Sequence, residues 1–352
     1  LPHFTKQESI HGIPKGMMSM ETYHRVVDGL VADRVCFDHI IFQWLGDPSL
    51  HPHLEEMIAI AQQRLRDQVG YLRVDTNAIV LTPERMDRLV EAYARCPELP
   101  LLLVFTMDAV TNATYATVKG QDALARVRRN VRHFIMKRAQ LGLDDVRLNA
   151  QFQFVLQPEN AHETRSFVEY WQEFLRCHGG GVGHDEIMIK RLSLDAGGSG
   201  QAGVDELYER TLVEQSIREL PKGPAEVLIW ENRAWESTAK PAGSFRQPCP
   251  GMWLTPVVRH DGHLMMCCVD LSGKLDLGDL NQHTFRGLWE GPNARELRLR
   301  HIEGRFDESG PCASCGGINW YETPPDFVEA WLKQEQRSDL WPDYRKRMEK
   351  DA

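Results

Sequence analysis

The sequence predicts an α/β fold in which a parallel sheet built from βα units is followed by a small C-terminal module. Helical patterns alternate with short apolar runs from about residue 19 to residue 193, which is typical of βα units. The chain has 352 residues, more than one hydrophobic core usually holds, so two domains are expected. Four cysteines are grouped after this alternation has ended.

The predicted helices and strands follow each other in the order that a parallel sheet requires. Apolar residues at helical spacing predict helices over Met20 to Ala32, Leu54 to Asp67, Pro83 to Arg95, Ala123 to Gln140 and Glu163 to Cys177. Apolar runs between them predict strands over His39 to Leu45, Tyr71 to Val74, Leu101 to Thr106, Val146 to Val155 and Glu186 to Leu192. This pattern fits a sheet that is closed into a barrel or left open.

A Gly- and Ser-rich run, Ala196 to Gly203, breaks the alternation and predicts a domain boundary. The segment after it is less regular and leads to the cysteine-rich module. We therefore expect four parts: a barrel-type core over residues 1–195, a linker over 196–245, the cysteine-rich module over 246–318, and a helical tail over 319–352.

Charge and composition argue against several classes of protein. The formal net charge is -9, from 41 basic and 50 acidic residues, which gives no electrostatic footprint for nucleic acid or an anionic membrane. No apolar run approaches the length of a membrane span, and the first residues, LPHFTKQESIHG, lack the features of a signal peptide. We expect a cytoplasmic protein, in which the 8 cysteines do not form a disulfide framework.

The spacing of Cys249, Cys267, Cys312 and Cys315 predicts a metal cluster. The first two flank the Asp-Gly pair at 261–262, the strongest short hairpin signal, so the turn brings the second thiol back toward the first. The last two are separated by two residues, a spacing that fits one metal centre. The other cysteines are scattered and are expected to be packing residues: Cys36, Cys96, Cys177 and Cys268.

A structural zinc ion is the main alternative for these four cysteines. Zinc ribbons usually bring two close cysteine pairs, whereas only Cys312 and Cys315 form a close pair here. Thiolate ligands at this spacing favour iron and sulfur over zinc. Four buried core thiols without a metal are a weaker alternative.

Loops that follow the predicted strands are the expected place for a ligand, because strand C-terminal ends carry the chemistry of parallel βα architectures. Gly46 would let a ligand approach the backbone, and Asp47 could accept hydrogen bonds from an ammonium group. Asn77 and Asp108 follow later strands and suit contacts to a ribose or carboxylate. All three polar side chains are also compatible with simple turn capping.

One predicted strand carries amides on a single face. Asn149, Gln151 and Gln153 alternate with apolar residues, so in a closed barrel they would line the interior. Because buried amides need hydrogen-bond partners, a polar ligand is expected there.

The C-terminal segment resembles a known domain. Cys249, twelve residues, Gly262, four residues and Cys267, followed by Cys312-x-x-Cys315, are similar to the SPASM or twitch-type auxiliary cluster domain of radical S-adenosylmethionine enzymes. The full seven-cysteine SPASM pattern needs cysteines after Cys315, and the sequence has none there. The resemblance therefore implies one auxiliary [4Fe-4S] cluster held by these four cysteines, as in twitch-like members.

The N-terminal part resembles the core of the same family in Gly16-Met17-Met18-Ser19, Leu45-Gly46-Asp47-Pro48 and Thr76-Asn77. The resemblance implies a partial TIM-like (β/α)6 barrel that binds S-adenosyl-L-methionine. The family's Gly-Gly-Glu motif, which holds the amino group of that cofactor, stands here as Leu45-Gly46-Asp47, with a shorter acid. Cofactor-binding residues are then expected at Gly46, Asp47, Asn77, Thr106, Asp108 and Gln153.

The family's Cys-x3-Cys-x2-Cys motif, which holds the catalytic [4Fe-4S] cluster after the first barrel strand, is not found in the sequence. Since the chain begins with Leu1 rather than Met, we expect a truncated sequence that lacks the first strand and this loop. The catalytic cluster is then expected only in the untruncated protein, and the chain as printed is expected to be inactive. Codons upstream of Leu1 would test this expectation.

The resemblance implies an oxidoreductase that uses a 5′-deoxyadenosyl radical to abstract hydrogen from an unidentified substrate, with an electron passing to the auxiliary cluster. Oxidation of an alcohol on a sugar or cyclitol is the favoured reaction, and modification of a ribosomal peptide is the alternative. A non-catalytic iron-sulfur scaffold or electron-transfer module is the alternative from another class. The implied electron donor is a flavodoxin or ferredoxin. The sequence does not identify a catalytic residue.

Overall fold

The computed structural model describes residues 9–10, 13–143, 147–179, 184–192, 201–230, 245–313, 315 and 323–350. The chain divides into two compact units. The first unit consists mainly of Arg34–Ser193 and Ser199–Asn232, and the second unit mainly of Gln7–Asp33 and Arg233–Ala352.

Strands and helices are numbered here in chain order. The strands are β1 (Ser9–Ile10), β2 (Ile13–Pro14), β3 (Phe37–Ile41), β4 (Val69–Thr76), β5 (Leu101–Thr106), β6 (Leu148–Leu156), β7 (Asp185–Arg191), β8 (Ala225–Trp230), β9 (Val257–Val258), β10 (His263–Met265) and β11 (Asp276–Asp279). The α-helices are α1 (Met20–Asp33), α2 (Leu54–Arg64), α3 (Pro83–Arg95), α4 (Asn112–Lys119), α5 (Leu124–Gln140), α6 (Thr164–His178), α7 (Gln201–Glu214), α8 (Gly251–Leu254), α9 (Phe285–Trp289), α10 (Pro292–Glu303), α11 (Pro325–Gln334) and α12 (Trp341–Glu349).

The first unit is built on a six-stranded sheet in which each strand pairs in parallel with the next strand along the chain, from β3 to β8. Parallel crossovers are right-handed, so a sheet wound in one direction places its helices on one face. The other face becomes an inner surface, as in a TIM-like barrel. This topology confirms the predicted α/β partial barrel.

The outer face of this sheet forms the hydrophobic core of the first unit. Phe105 on β5 packs edge-on against Phe134 of α5, with ring centroids 5.6 Å apart. Phe152 on β6 stacks on Trp171 of α6 at 4.4 Å, and all four rings are fully buried. Strand side chains alternate between the two faces, so polar residues at the intervening positions lie on the inner face.

A buried ion pair lies where β6 and β7 begin. Arg138 of α5 donates two hydrogen bonds to the carboxylate of Asp185, at 2.7 and 2.6 Å. Arg138 also donates to the carbonyl of Leu148, and Asp185 accepts from the backbone N–H of Ala150. These bonds join helix α5 to the N-terminal ends of β6 and β7, away from the strand C-terminal ends.

All five predicted strands are present, with ends shifted by a few residues. The structure adds β8 to the sheet, at the edge next to β7, within the segment expected to be a linker. Helices α4 and α7 were also not predicted. Residues 196–200 of the predicted boundary lie outside the described residues, and the predicted domain limits stay predictions.

The second unit contains a three-stranded antiparallel sheet in the order β11-β10-β9. The predicted Asp-Gly hairpin is confirmed, because the N–H of Gly262 donates to the carbonyl of Arg259 at 3.0 Å and β9 pairs with β10. Gly262 has a φ of +91°, a conformation that disfavours other residues. Strand β11, which was not predicted, pairs with the other side of β10.

Helices of the C-terminal segment pack into a second core. Its buried residues come from α10, α11 and α12: Leu299, Ile302, Val328, Trp331, Leu332 and Tyr344. Trp341 stacks on Tyr344 with ring centroids 5.6 Å apart. None of the described helices is long and apolar enough to cross a membrane.

Candidate functional site

Asp47 connects the ends of two neighbouring strands in the first unit. Its Oδ1 accepts hydrogen bonds from the backbone N–H and the hydroxyl of Ser49, at 2.9 and 2.5 Å, and from the hydroxyl of Thr76 at 2.9 Å. Its Oδ2 accepts from the backbone N–H of Asn77 at 2.8 Å. A carboxylate has about four acceptor positions, so these bonds nearly exhaust its capacity. Asp47 caps the 3-10 helix Pro48–Leu50, as the capping alternative predicted.

The backbone beside Asp47 is open. Gly46 is exposed, and a Cβ placed on it would meet no atom within 4 Å. The glycine is therefore not required by packing inside this chain. A ligand can approach the main chain here without a side chain in its path.

Asn77 forms a turn at the end of β4. Its Oδ1 accepts from the backbone N–H of Ile79 at 2.9 Å, while the hydroxyl of Thr76 accepts from that of Ala78 at 3.0 Å. Ala78 has a φ of +58°. The turn explains the position of Asn77, and it leaves the side-chain NH2 group without a partner among the described residues.

The predicted residues on β5 also make internal contacts. Thr106 donates weakly to the carbonyl of Thr76, at 3.4 Å. Asp108 is buried, has a φ of +57°, accepts from the backbone N–H of Val155 at 2.7 Å and forms an ion pair with Lys119. Lys119 therefore neutralises Asp108, and contacts from either residue to a cofactor stay predictions.

The amides of β6 differ in what they contact. Gln151 donates to Glu186 of β7 at 2.5 Å. Gln153 is only 7% exposed and pairs in register with Thr106 and Met188, yet its amide has no partner among the described residues. Because its amide makes no hydrogen bond to the described residues, Gln153 has hydrogen-bonding capacity left for a ligand.

Lys190 is a polar residue of the inner face that the sequence analysis missed. Its ammonium lies 4.3 Å from the ring centroid of Trp230, which is beside it on β8. Burial lowers the pKa of Lys190, the charge of Arg73 lowers it further, and Asp75 and Asp108 oppose this shift. Arg73 is itself paired with Asp75 through bonds of 2.6 and 2.8 Å. The alternation of Glu186, Met188 and Lys190 along β7 was the available signal.

Three of the four predicted cluster ligands, Cys249, Cys267 and Cys312, are buried, and Cys315 is partly buried. Burial raises the pKa of Cys312 to about 12, and the charges of Cys249 and Cys315 add to this effect. The hydrogen bond with Cys268 and burial raise the pKa of Cys267, and the charge of Cys249 adds to this shift. Thiols that interact in this way lie near one another, so the fold groups the four residues in the second unit.

Cys268 is next to the predicted ligand Cys267, so the contacts of the two thiols need to be compared. A hydrogen bond between them raises the pKa of Cys267 and lowers that of Cys268 to about 7. We still expect Cys267 to be the ligand, because it interacts with Cys249 and accepts a hydrogen bond from the N–H of Val269 at 3.4 Å. Cys268 instead contacts Thr255.

The spacing of the thiols can be tested against zinc and against a cluster. In the described part of the chain, no three His, Cys, Asp or Glu side chains are arranged to hold one metal ion. Four sulfurs bound to one zinc ion at about 2.3 Å would lie close together. In a four-iron cluster each thiolate binds a different iron, so the sulfurs are farther apart. The preference for a cluster over zinc at these four thiols stays a prediction.

A histidine and an arginine adjoin the thiols. The buried Nδ1 of His301 accepts a hydrogen bond from the backbone N–H of Cys249 at 3.2 Å. Burial lowers the pKa of His301 to about 3, with a further contribution from Arg246. Arg246 donates to the carbonyl of Cys312 at 2.7 Å and lies 4.1 Å from the ring centroid of Phe306. No spacing rule in the sequence indicated these contacts.

Comparison with known proteins agrees with this geometry. Residues 249–316 match the SPASM family, an iron-sulfur cluster-binding domain. The solved structure of native anSMEcpe with bound AdoMet matches this chain with a TM-score of 0.56 and 15% sequence identity, covering 98% of this chain and 94% of that one. The C-terminal part of the chain carries a SPASM match, and the chain shares the fold of anSMEcpe. The SPASM match includes all four predicted cluster ligands.

Two further structures match the chain. Native anSMEcpe with bound AdoMet and Kp18Cys peptide has a TM-score of 0.51 and 14% identity, covering 95% of this chain and 92% of that one. BtrN in complex with AdoMet and 2-DOIA has a TM-score of 0.41 and 14% identity, covering 86% and 81%, and nothing about this chain follows from so low a TM-score. No curated protein matches the sequence significantly. Identities this low establish the shared fold of the SPASM-containing chain and not its chemistry.

Proposed function

We propose that this protein is a radical S-adenosylmethionine oxidoreductase whose SPASM domain holds one auxiliary [4Fe-4S] cluster. The observation that carries the proposal is the presence, in one chain, of a singly wound parallel sheet with open strand ends and a SPASM match whose four thiols are grouped. When bound, the cofactor and its cluster supply a 5′-deoxyadenosyl radical, and the auxiliary cluster accepts an electron.

The chain's own residues would bind S-adenosylmethionine at the strand C-terminal ends. The bonds from Ser49, Thr76 and Asn77 to Asp47 hold the loop in one conformation. That loop presents the open backbone at Gly46 to the ammonium group of the cofactor. Asp47 then acts mainly by fixing the loop and by adding negative charge, and its carboxylate is not the sole acceptor.

Other cofactor contacts would come from β4, β5 and β6. The NH2 group of Asn77 and the amide of Gln153 have hydrogen-bonding capacity that the described residues do not use. Thr106 lies between them in the sheet, in register with Gln153. Asp108 would orient β5 and β6 through Val155 and Lys119.

The substrate would bind on the inner face of the sheet. Lys190 provides a cation there that makes no ion pair with the described residues, and Trp230 provides an aromatic surface beside it. A desolvated cation of this kind suits a polar small molecule that carries a negatively polarised group. Oxidation of an alcohol on a sugar or cyclitol fits such a face, with the electron leaving through the auxiliary cluster. A flavodoxin or ferredoxin would be the electron donor to the protein.

Modification of a peptide is the second candidate function. The relative that was solved with AdoMet and a Kp18Cys peptide shares the fold over 95% of this chain. A peptide substrate would need a longer binding surface than Lys190 and Trp230 provide. Competition between short peptides and small polyols in the same assay would separate the two candidates.

The experiment that tests the proposal uses protein expressed from the whole reading frame and purified without oxygen. Dithionite and S-adenosylmethionine are added, and 5′-deoxyadenosine is measured. The proposal predicts release above a no-protein control, with binding that depends on Gly46. A protein that holds iron and sulfide but neither binds nor cleaves the cofactor would instead be a scaffold or an electron-transfer module.

A further inference from the structure

His301 has an arrangement that the internal contacts of the chain do not explain. It lies on α10 in the second unit and is only 1% exposed. Its ring contacts Phe306 edge-on, with centroids 4.8 Å apart, and Arg246 lies close enough to affect it electrostatically. Its Nδ1 accepts a hydrogen bond from the backbone N–H of Cys249, a predicted cluster ligand.

This bond fixes where the proton of the ring lies. A ring nitrogen that accepts a hydrogen bond carries no proton, so the single proton of the neutral ring is on Nε2. Nε2 is buried and has no hydrogen-bond partner in the described part of the chain. A buried N–H without an acceptor is unfavourable and calls for an explanation, such as an unseen ligand.

The neighbours of the ring do not supply an acceptor. Arg246 is only a donor, and the ring of Phe306 offers at most a weak interaction. The sulfur atoms of a cluster bound by Cys249 and Cys312 would be acceptors of another kind. Nδ1 contacts the backbone of Cys249, and Nε2 belongs to the same imidazole ring, so Nε2 also lies near that backbone.

We propose that Nε2–H of His301 donates a hydrogen bond to a sulfur atom of the auxiliary cluster and raises its reduction potential. A donor to sulfur stabilises the more negative, reduced cluster, which is one of the ways proteins adjust cluster potentials. The inference rests on the cluster in the proposed function, but it requires neither a particular substrate nor cleavage of the cofactor.

Two substitutions separate the roles of the two ring nitrogens. In His301→Asn the side-chain oxygen takes the place of Nδ1 and can still accept from Cys249, while the distal N–H is lost. In His301→Gln the amide N–H reaches the position of Nε2, so the donor to the cluster is kept. His283→Asn, at an exposed histidine of the same unit, is the control.

The test uses the full chain, reconstituted with iron and sulfide, with 15N-labelled histidine. Electron-nuclear double resonance of the reduced cluster should show a 15N coupling that disappears in His301→Asn. A redox titration should give a lower midpoint potential for His301→Asn, a value nearer wild type for His301→Gln, and no change for His283→Asn.

The outcomes are distinguishable from failure of the proposed function. If no cluster assembles in the wild-type chain, both the cluster and this inference are wrong. If a cluster assembles but shows no histidine coupling, or if His301→Asn has the wild-type potential, only the role of His301 is wrong. If His301→Asn does not fold, the 15N coupling measured in the wild-type protein still tests the hydrogen bond from His301 to the cluster.

Discussion

The carboxylate of Asp47 accepts hydrogen bonds from three residues of its own chain, so its effect on a cofactor is mainly indirect. The sequence predicted an acid after Gly46 at the end of a strand, and that position is confirmed. It did not predict that Thr76 and Asn77 would donate two of the four hydrogen bonds that this carboxylate accepts. That outcome depends on the parallel pairing of β3 with β4, which brings residues 30 positions apart together.

Replacement of Asp47 by alanine should affect both stability and cofactor binding. The substitution removes hydrogen bonds to a charged group, so we expect a loss of roughly 2 to 3 kcal/mol in the free energy of unfolding. We expect at least a tenfold weaker affinity for S-adenosylmethionine by calorimetry. Thr76→Val removes one donor and should give a smaller loss in both. Wild-type affinity in Asp47→Ala would remove this residue from the site.

Replacement of Gly46 by alanine tests the open backbone. A Cβ there meets no atom of the chain, so the free energy of unfolding should change by less than about 1 kcal/mol. If the cofactor lies against this backbone, its affinity should fall several-fold, because the methyl group occupies its space. Gly29→Ala, at another uncrowded glycine, is the matched control and should leave affinity unchanged. Equal affinities in all three proteins would place the cofactor elsewhere.

Lys190 should be unfavourable for folding. Its pKa is lower in the folded than in the unfolded chain, mainly through burial, so its charged form destabilises the fold below the folded pKa. This cost diminishes as pH rises from the folded pKa toward the unfolded value near 10.5. Lys190→Met should therefore raise the free energy of unfolding by about 1 kcal/mol at pH 7. The gain should shrink near pH 10, and a gain independent of pH would contradict a charge effect.

At the scale of elements, the N-terminal and C-terminal ends of the parallel strands have different roles. Arg138 and Asp185 stabilise the N-terminal ends of β6 and β7. The polar loops follow the C-terminal ends of the strands. Asp185→Asn leaves a buried cation without its charge partner and should cost about 3 to 5 kcal/mol. Glu169→Gln, which breaks an exposed ion pair with Arg165, should cost less than about 1 kcal/mol.

The different roles of the two strand ends can be tested with the same two variants, Asp185→Asn and Glu169→Gln. At a temperature where Asp185→Asn remains folded by circular dichroism, its affinity for S-adenosylmethionine should equal that of wild type. A large loss of affinity for S-adenosylmethionine in folded Asp185→Asn would show that the N-terminal and C-terminal ends of the strands are coupled.

The sequence predicted elements well where one signal dominated. Helix α3 has its predicted ends, and the Asp-Gly pair at 261–262 forms the predicted turn, because local residue types decide both. Strand β8 was missed because a short apolar run follows a segment rich in turn signals. It is stabilised by residues distant in sequence, through its pairing with β7 and the hydrogen bonds between Ala225 and Gln172. Helix α4 was missed for a similar reason, since it is short and begins at Thr111 through a capping bond.

The candidate site was predicted unevenly. The four cysteines were predicted as ligands from spacing alone, because a hairpin and a close pair are local features, and their role as ligands stays a prediction. Lys190 and His301 were missed, since each depends on residues distant in sequence: Trp230 for the first, and Cys249 for the second. Burial and the lack of a partner, which decide their significance, arise only in the folded chain.

At the scale of the whole molecule, we propose that one chain combines a radical SAM core with a SPASM domain that binds iron and sulfur. Each unit has its own hydrophobic core and its own polar site. The claim is therefore open to a test on the second unit's thiols that does not depend on substrate, cofactor or turnover.

The most direct measurement is the content of iron and acid-labile sulfide in the chain after anaerobic purification, together with its visible spectrum. For a chain with one auxiliary cluster we predict a brown protein with about four irons and four sulfides, and an absorbance that bleaches on reduction. Cys268→Ser should keep this content, and Cys267→Ser should lose it. A colourless wild-type protein that contains one zinc ion and no sulfide would contradict the account.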